Sequence, residues 1–205
     1  MLKKQAGQGL LILVMAAFWS GSALAAAPLF PFEDPTTQLW GYRNARGAVI
    51  IKPRYTVAQE FSAHGIAAVA DAAGWKIINR KGRVLVRPFL LDNGPDPFQE
   101  GLARFREAGK VGFFNERGRI VIPAHFPFAG QFSEGRAVFC QGCRERPEGE
   151  HHSIHGGLWG FIDRKGTVVV TPRFDKAEAF HQRKARVMLN GRWTTIDRQG
   201  HRIGR

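Results

Sequence analysis

The chain of 205 residues carries only two cysteines, and the first is Cys140. No cysteine near the N-terminus is therefore available for lipid attachment. None of its apolar runs reaches the length of about 20 residues that a membrane-crossing helix needs. Enzyme signatures are missing as well: there is no G-x-S-x-G elbow, no P-loop and no H-E-x-x-H. His64, His125, His181 and His201 stand alone on turn or strand-end positions, where a solvated or locally bonded imidazole is expected. No stretch of the repeated part has an obvious helical pattern. Acids are outnumbered, 17 against 30 Lys and Arg, for a net charge of +13, yet the basic residues form no dense run. These absences leave no candidate catalytic residue, and no enzyme activity is expected.

What is present begins at the N-terminus. Lys3 and Lys4 precede the apolar run Leu10 to Trp19, and Ala23 and Ala25 supply an A-x-A pattern. This predicts a secretory signal peptide over residues 1–25, cleaved after Ala25. The alternative, an uncleaved anchor helix, meets a run too short to cross a bilayer. Residues 26–38 read as a linker. The mature chain is then expected in the periplasm or the medium, without a transmembrane segment. Its net charge is 13 − 2 = +11 once the two lysines are removed. Such a field attracts polyanions, with an envelope polymer favoured over nucleic acid. Scattered, solvated arginines are the rival explanation.

The chain repeats itself. Gly47, Gly82, Gly118, Gly166 and Gly200 align, at intervals of 35, 36, 48 and 34. Three residues before each stands Asn44, Asn79, Asn115, Asp163 or Asp197, and seven before stands Trp40, Trp75, Val111, Trp159 or Trp193. Pro53, Pro88, Pro123 and Pro172 follow four of the glycines, and Phe61, Phe98, Phe132 and Phe180 open a further shared element. Asn/Asp-x-x-Gly between apolar stretches is hairpin chemistry: the side chain caps the turn and glycine takes the positive φ. The β-branched stretches Val49–Ile51, Val84–Val86, Ile120–Ile122 and Val168–Val170 predict the second strand of each hairpin. The proline is expected to end that strand. A third strand is predicted at 66–70, 102–105, 136–139 and 184–189. Such a unit cannot bury its own face, so neighbours must stack. One tryptophan per copy (Trp40, Trp75, Trp159, Trp193) is expected to pack as a core ladder.

The pattern W-G-[FY]-I-[DN]-x-x-G-x-x-[VI]-[VI]-x-P-x-[FY], then F-x-E-G-x-A-x-V, resembles the WG repeat family, also called KWG repeats, of bacterial proteins. Leu158–Phe174 carries it most fully, and the likeness covers about residues 39–203. Trp75-Lys76, Trp193-Thr194 and Val111 depart from the doublet. The resemblance implies a β-rich array, often in exported or surface-associated proteins, and supplies no catalytic residues. The expected fold is all-β: a tandem array of three-stranded units of about 35 residues. Repeats lie near 39–70, 74–105, 110–139 and 158–187, with a partial copy at 192–203. An open twisted array is favoured over a closed propeller, because the insertion and the partial copy would disturb closure.

The interval of 48 marks an insertion of about a dozen residues, within 140–157. It is polar and glycine-bearing, without strand or helix period, which predicts a surface loop. It holds Cys140, Cys143, His151, His152 and His155. A Cys140–Cys143 disulfide fits an exported protein. A zinc site would take both thiolates and two of the three histidines. A redox C-x-x-C lacks the βαβ setting that lowers a thiol pKa, and Arg144 rules out a c-type haem attachment. No cofactor is expected apart from that zinc. The favoured function is a non-enzymatic exported binding module, for a protein or an anionic envelope polymer. The alternative is a metal- or redox-linked role for the insertion.

Overall fold

A computed structural model describes residues 27–91, 93–148 and 151–203. The expected signal peptide lies outside them. All regular structure among the described residues is strand, arranged in five antiparallel sheets of three or four strands and two separate hairpins. The first holds β1 (Leu29–Glu33), β2 (Trp40–Asn44) and β3 (Val49–Tyr55). The second holds β4 (Val57–Ala58), β5 (Ile66–Asp71), β6 (Gly74–Asn79) and β7 (Val84–Val86). A small hairpin follows, β8 (Leu90–Leu91) with β9 (Gly94–Pro95). The third sheet is β10 (Leu102–Glu107), β11 (Lys110–Asn115) and β12 (Ile120–Phe126). The fourth begins with β13 (Phe128–Ser133) and β14 (Arg136–Gln141). A separate hairpin, β15 (Arg144–Glu148) with β16 (His151–His155), comes before its last strands, β17 (Leu158–Ile162) and β18 (Val168–Phe174). The fifth is β19 (Lys176–Ala177), β20 (Ala185–Leu189), β21 (Arg192–Ile196) and β22 (Arg202–Ile203).

The sheets run out of phase with the sequence repeats. β5, the third strand of the first copy, pairs not with its own hairpin but with β6, the tryptophan strand of the second copy. β10 with β11, β14 with β17 and β20 with β21 repeat the arrangement. Each of the four full copies is thus divided between two sheets. The first sheet has no preceding copy to supply its third strand, and residues 29–33 fill the place as β1, paired in register from Leu29↔Asn44 to Glu33↔Trp40. The expected linker is therefore a strand.

Between each pair of consecutive sheets lies one core. Tyr42, Ile51 and Tyr55 of the first sheet meet Ala67, Val69 and Ile78 of the second. The other face of that sheet, with Ile66, Ala68 and Ile77, meets Ala103, Phe105 and Phe114 of the third. The period of two along a strand produces this. Successive residues of β5, β10 and β14 alternate between the core before and the core after. Phe113 and Phe132 meet edge to face between the third and fourth sheets, and Phe161 and Phe180 between the fourth and fifth. Each such buried ring contributes about 1.5–3 kcal/mol relative to exposure. Among the described residues no core cluster joins the fifth sheet to the first, so the array is open.

Three of the four prolines do not end their strands. β3 runs through Pro53, β12 through Pro123 and β18 through Pro172. All three are edge strands, where a missing N–H costs no ladder bond. Each also bulges against the tryptophan strand: Trp159 pairs with Phe174, while Phe161 pairs with Val170. At the bulge the two backbones nearly touch. A Cβ on Gly160 would stand 2.4 Å from the Val170 carbonyl oxygen and 2.8 Å from the Pro172 nitrogen. Gly41 and Gly112 meet the same obstruction. In the second copy Lys76 replaces this glycine, and β7 stops at Val86.

Candidate functional site

The five Asx turns and the Phe-x-x-Gly turns lie at one end of the sheets, and the hairpin connections lie at the other. At the turn end, Asn115 Oδ1 accepts from the Arg117 and Arg119 amides at 3.0 and 3.1 Å. Asn44, Asn79, Asp163 and Asp197 repeat the geometry. The glutamate of the Phe-x-x-Gly turn links neighbouring copies. Glu100 accepts from the Gly135 amide at 2.9 Å, and Glu134 from the Arg183 amide at 2.7 Å.

At the hairpin end the connections are tight in three sheets, closing at Asp71↔Gly74, Glu107↔Lys110 and Leu189↔Arg192. In the fourth sheet the insertion expands that connection beyond Gln141↔Leu158. It is not the expected loop: β15 and β16 pair from Arg144↔His155 to Glu148↔His151. Arg106 of β10 fixes this hairpin through two bonds to Glu145, of 2.7 and 2.8 Å. Phe89 lies beside the same strand, with the Arg104 and Arg106 guanidinium carbons 4.0 and 4.6 Å from its ring centroid. Arg104 is buried and satisfied. Asp96 takes its Nε and Nη2 at 2.9 and 2.8 Å, Ala129 O takes its Nη1 at 3.1 Å, and Gln131 donates to Asp96 at 2.9 Å.

Between this platform and the hairpin runs a groove of about 920 Å³. Trp75, Phe89, Leu90, Phe128 and Ile154 supply its apolar walls, and Arg87 stands at its side. Leu90 and Leu91 are exposed, and Arg87 Nη1 donates to the Ala73 carbonyl at 3.0 Å. The volume falls in the range of about 300–1,000 Å³ typical of ligand pockets.

Cys140, opposite Trp159, and Cys143 are both buried, with free thiols. Burial, and then the Cys143 thiol against it, push the Cys140 thiol up to about 12. That opposes thiolate formation at neutral pH and with it a redox-active pair. His155 lies opposite Arg144, its Nε2 2.6 Å from Ser153 Oγ. His152 and His151 lie opposite Pro147 and Glu148. At about 3.3 Å per residue their backbones stand four and five residues up the hairpin from Cys143, and their side chains are outside the described residues. Among the described residues no three His, Cys, Asp or Glu side chains converge.

The sequence matches the family of the WG containing repeat over residues 40–71, 77–110, 112–142 and 159–193. The chain belongs to the WG repeat family. No curated protein matches it. The tryptophans of the WG copies are not the core ladder expected of them. Trp40, Trp75 and Trp159 are half-buried at the margins of the cores, and Trp193 is exposed beneath the Arg186 guanidinium, 4.8 Å from its ring. The fully buried aromatic stands two residues on, as Tyr42, Phe113 or Phe161. Only at the third copy is the tryptophan position itself fully buried, and there it is Val111.

Sequence reasoning did not find the groove. Its signal was faint: the interval from Pro88 to Phe98 is ten, against eight from Pro53 to Phe61. Those extra residues include the exposed leucines. Among the described residues no helix is long and apolar enough to cross a membrane.

Proposed function

We propose that this WG repeat protein is an exported, non-enzymatic binding module whose hairpin-end groove takes an extended acidic ligand. A partner protein segment is the first choice and an anionic envelope polymer the second. The observation that carries this reading is the groove itself. It forms where two departures from the regular repeat, the β8–β9 stretch and the β15–β16 hairpin, face one another. Its walls combine Trp75, Phe89 and Leu90 with Arg87, whose guanidinium, among the described residues, donates to one backbone carbonyl and forms no salt bridge. A mature net charge of 13 − 2 = +11 would draw an acidic ligand toward it.

Export rests on the basic start, the apolar run and the A-x-A pattern of residues 1–25. In an oxidising compartment the buried neighbours Cys140 and Cys143 would join in a disulfide that stiffens the root of the hairpin. The intact mass of the secreted protein tests both, since it should lack residues 1–25 and two hydrogens. Binding is tested by retention on a polyanion matrix as salt rises. Retention that weakens steeply with salt and drops in Arg87→Glu supports the reading. Salt-insensitive retention, or wild-type retention by that variant, removes the acidic ligand from the groove.

A further inference from the structure

The opposite, turn end of the molecule holds a second feature that the groove does not use. Arg136, Arg183 and Arg198 line a pocket of about 270 Å³, together with Asp197 and Gln199. Asp197 already serves its own turn, accepting from the Gln199 and His201 amides at 2.9 and 2.8 Å. None of the three arginines forms a salt bridge among the described residues. The Nε atoms of Arg136 and Arg198 are both buried without a hydrogen-bond partner. Leaving a buried charged donor unpaired is costly, and such groups are rarely orphaned without a reason.

The repeat makes the departure plain. In earlier copies the arginine after the turn residue reaches a backbone carbonyl: Arg80 reaches Ala27, and Arg164 donates to Glu100 O at 2.6 Å. Arg198 holds the same place and lies over Gly135, Nη2 3.0 Å from where a Cβ would stand, as Arg80 lies over Gly65 and Arg164 over Gly101, but among the described residues it reaches no carbonyl. Arg136 converges on the same residue, its Nη1 3.0 Å from the Gly135 carbonyl. Arg183 stands where the Phe-x-x-Gly element of other copies has Gly101 or Gly135, and it keeps their conformation at φ 63°. A non-glycine residue is strained there, and strain of this kind gathers at functional sites.

We infer that Arg136, Arg183 and Arg198 form a subsite for a phosphate-type oxyanion, separate from the groove. Guanidinium groups present paired donors that match the oxygens of a tetrahedral anion. The cavity is smaller than the about 300 Å³ at which pockets begin to enclose whole ligands, so it takes one group. That group is free inorganic phosphate or the phosphate monoester of a larger molecule.

The test uses the full mature chain and inorganic phosphate, with chloride as the control. Phosphate should shift the Nε–H NMR signals of Arg136 and Arg198 saturably, and chloride should not. Arg183→Gly separates function from folding. It should raise Tm by relieving strain, yet weaken phosphate binding on the order of tenfold, the effect of losing a charge-assisted hydrogen bond. Vesicles of phosphatidylcholine with and without phosphatidic acid then distinguish the sources. Displacement of phosphate by the phosphatidic acid vesicles assigns the site to a membrane or polymer phosphate, and no displacement assigns it to the free ion. Absence of a saturable phosphate shift, or equal affinity in Arg183→Gly, overturns the subsite.

Discussion

A tight constraint on single residues falls on the second position of the WG doublet, where Gly112 follows Val111. Gly112→Ala would place a Cβ 2.6 Å from the Ile122 oxygen, the Ala124 nitrogen and the Phe105 ring. Two of the three are backbone, so the strand pair must part. A loss of about 1–3 kcal/mol, typical of overpacking, should appear in urea denaturation. The turn residues tolerate more. Asp163 and Asp197 are held below their ordinary 3.8: burial works to raise them, but the amides of Thr167 and Lys165, and of His201 and Gln199, outweigh it. A carboxylate with a depressed folded value stabilises at neutral pH and loses that contribution as pH falls through about 4 and below. Asn44, Asn79 and Asn115 make the same bonds without titrating. The double variant Asp163→Asn, Asp197→Asn should therefore match the wild type at pH 7 and keep more of its stability at pH 3, read by circular dichroism. These turn positions were legible in the sequence because the chemistry is local. The partial exposure of the tryptophans was not, because it depends on which strand of the next copy covers them.

Among the elements, the regular strands were legible and the inserted hairpin was not. The β-branched runs and the third strands fall where their composition places them. The sequences Arg144-Glu-Arg-Pro-Glu148 and His151-His-Ser-Ile-His155 lack apolar alternation because no core lies beneath the hairpin. It is held instead by the Arg106–Glu145 pair, both partners about a third exposed. Glu145→Ala should change global stability by no more than about 1 kcal/mol. It should, however, speed amide exchange across β15 and β16 and weaken groove binding. Unchanged exchange there would show that the pair does not anchor the hairpin. The Asp96–Arg104 pair between β9 and β10 is the opposite case. Both side chains are almost wholly buried, and Asp96→Ala would leave a guanidinium unpaired at a cost of about 3–5 kcal/mol. Thermal unfolding measures it.

Across the whole molecule, four cores in series make stability a matter of neighbours. Replacing residues 142–157 by a two-residue turn, as at Asn190-Gly191, should leave the fourth sheet folded, because Gln141↔Leu158 and Phe139↔Gly160 pair without the hairpin. The variant should melt near the wild type and lose the groove ligand; failure to fold would show that the insertion serves the scaffold. The insertion and the partial last copy favour an open array, as the structure shows, but spacing alone decides neither that nor the phase, since no spacing reveals which copy a strand pairs with. That phase has a consequence for how such chains lengthen. The unit that a gene duplication copies is offset from the unit that folds. A new copy inserted between two old ones completes the sheet before it and begins the sheet after it, so growth leaves no seam. Only the first sheet needs a strand of foreign origin, because the last is completed by the partial fifth copy. β1 is such a graft, and it marks the point where copying stopped and improvisation began.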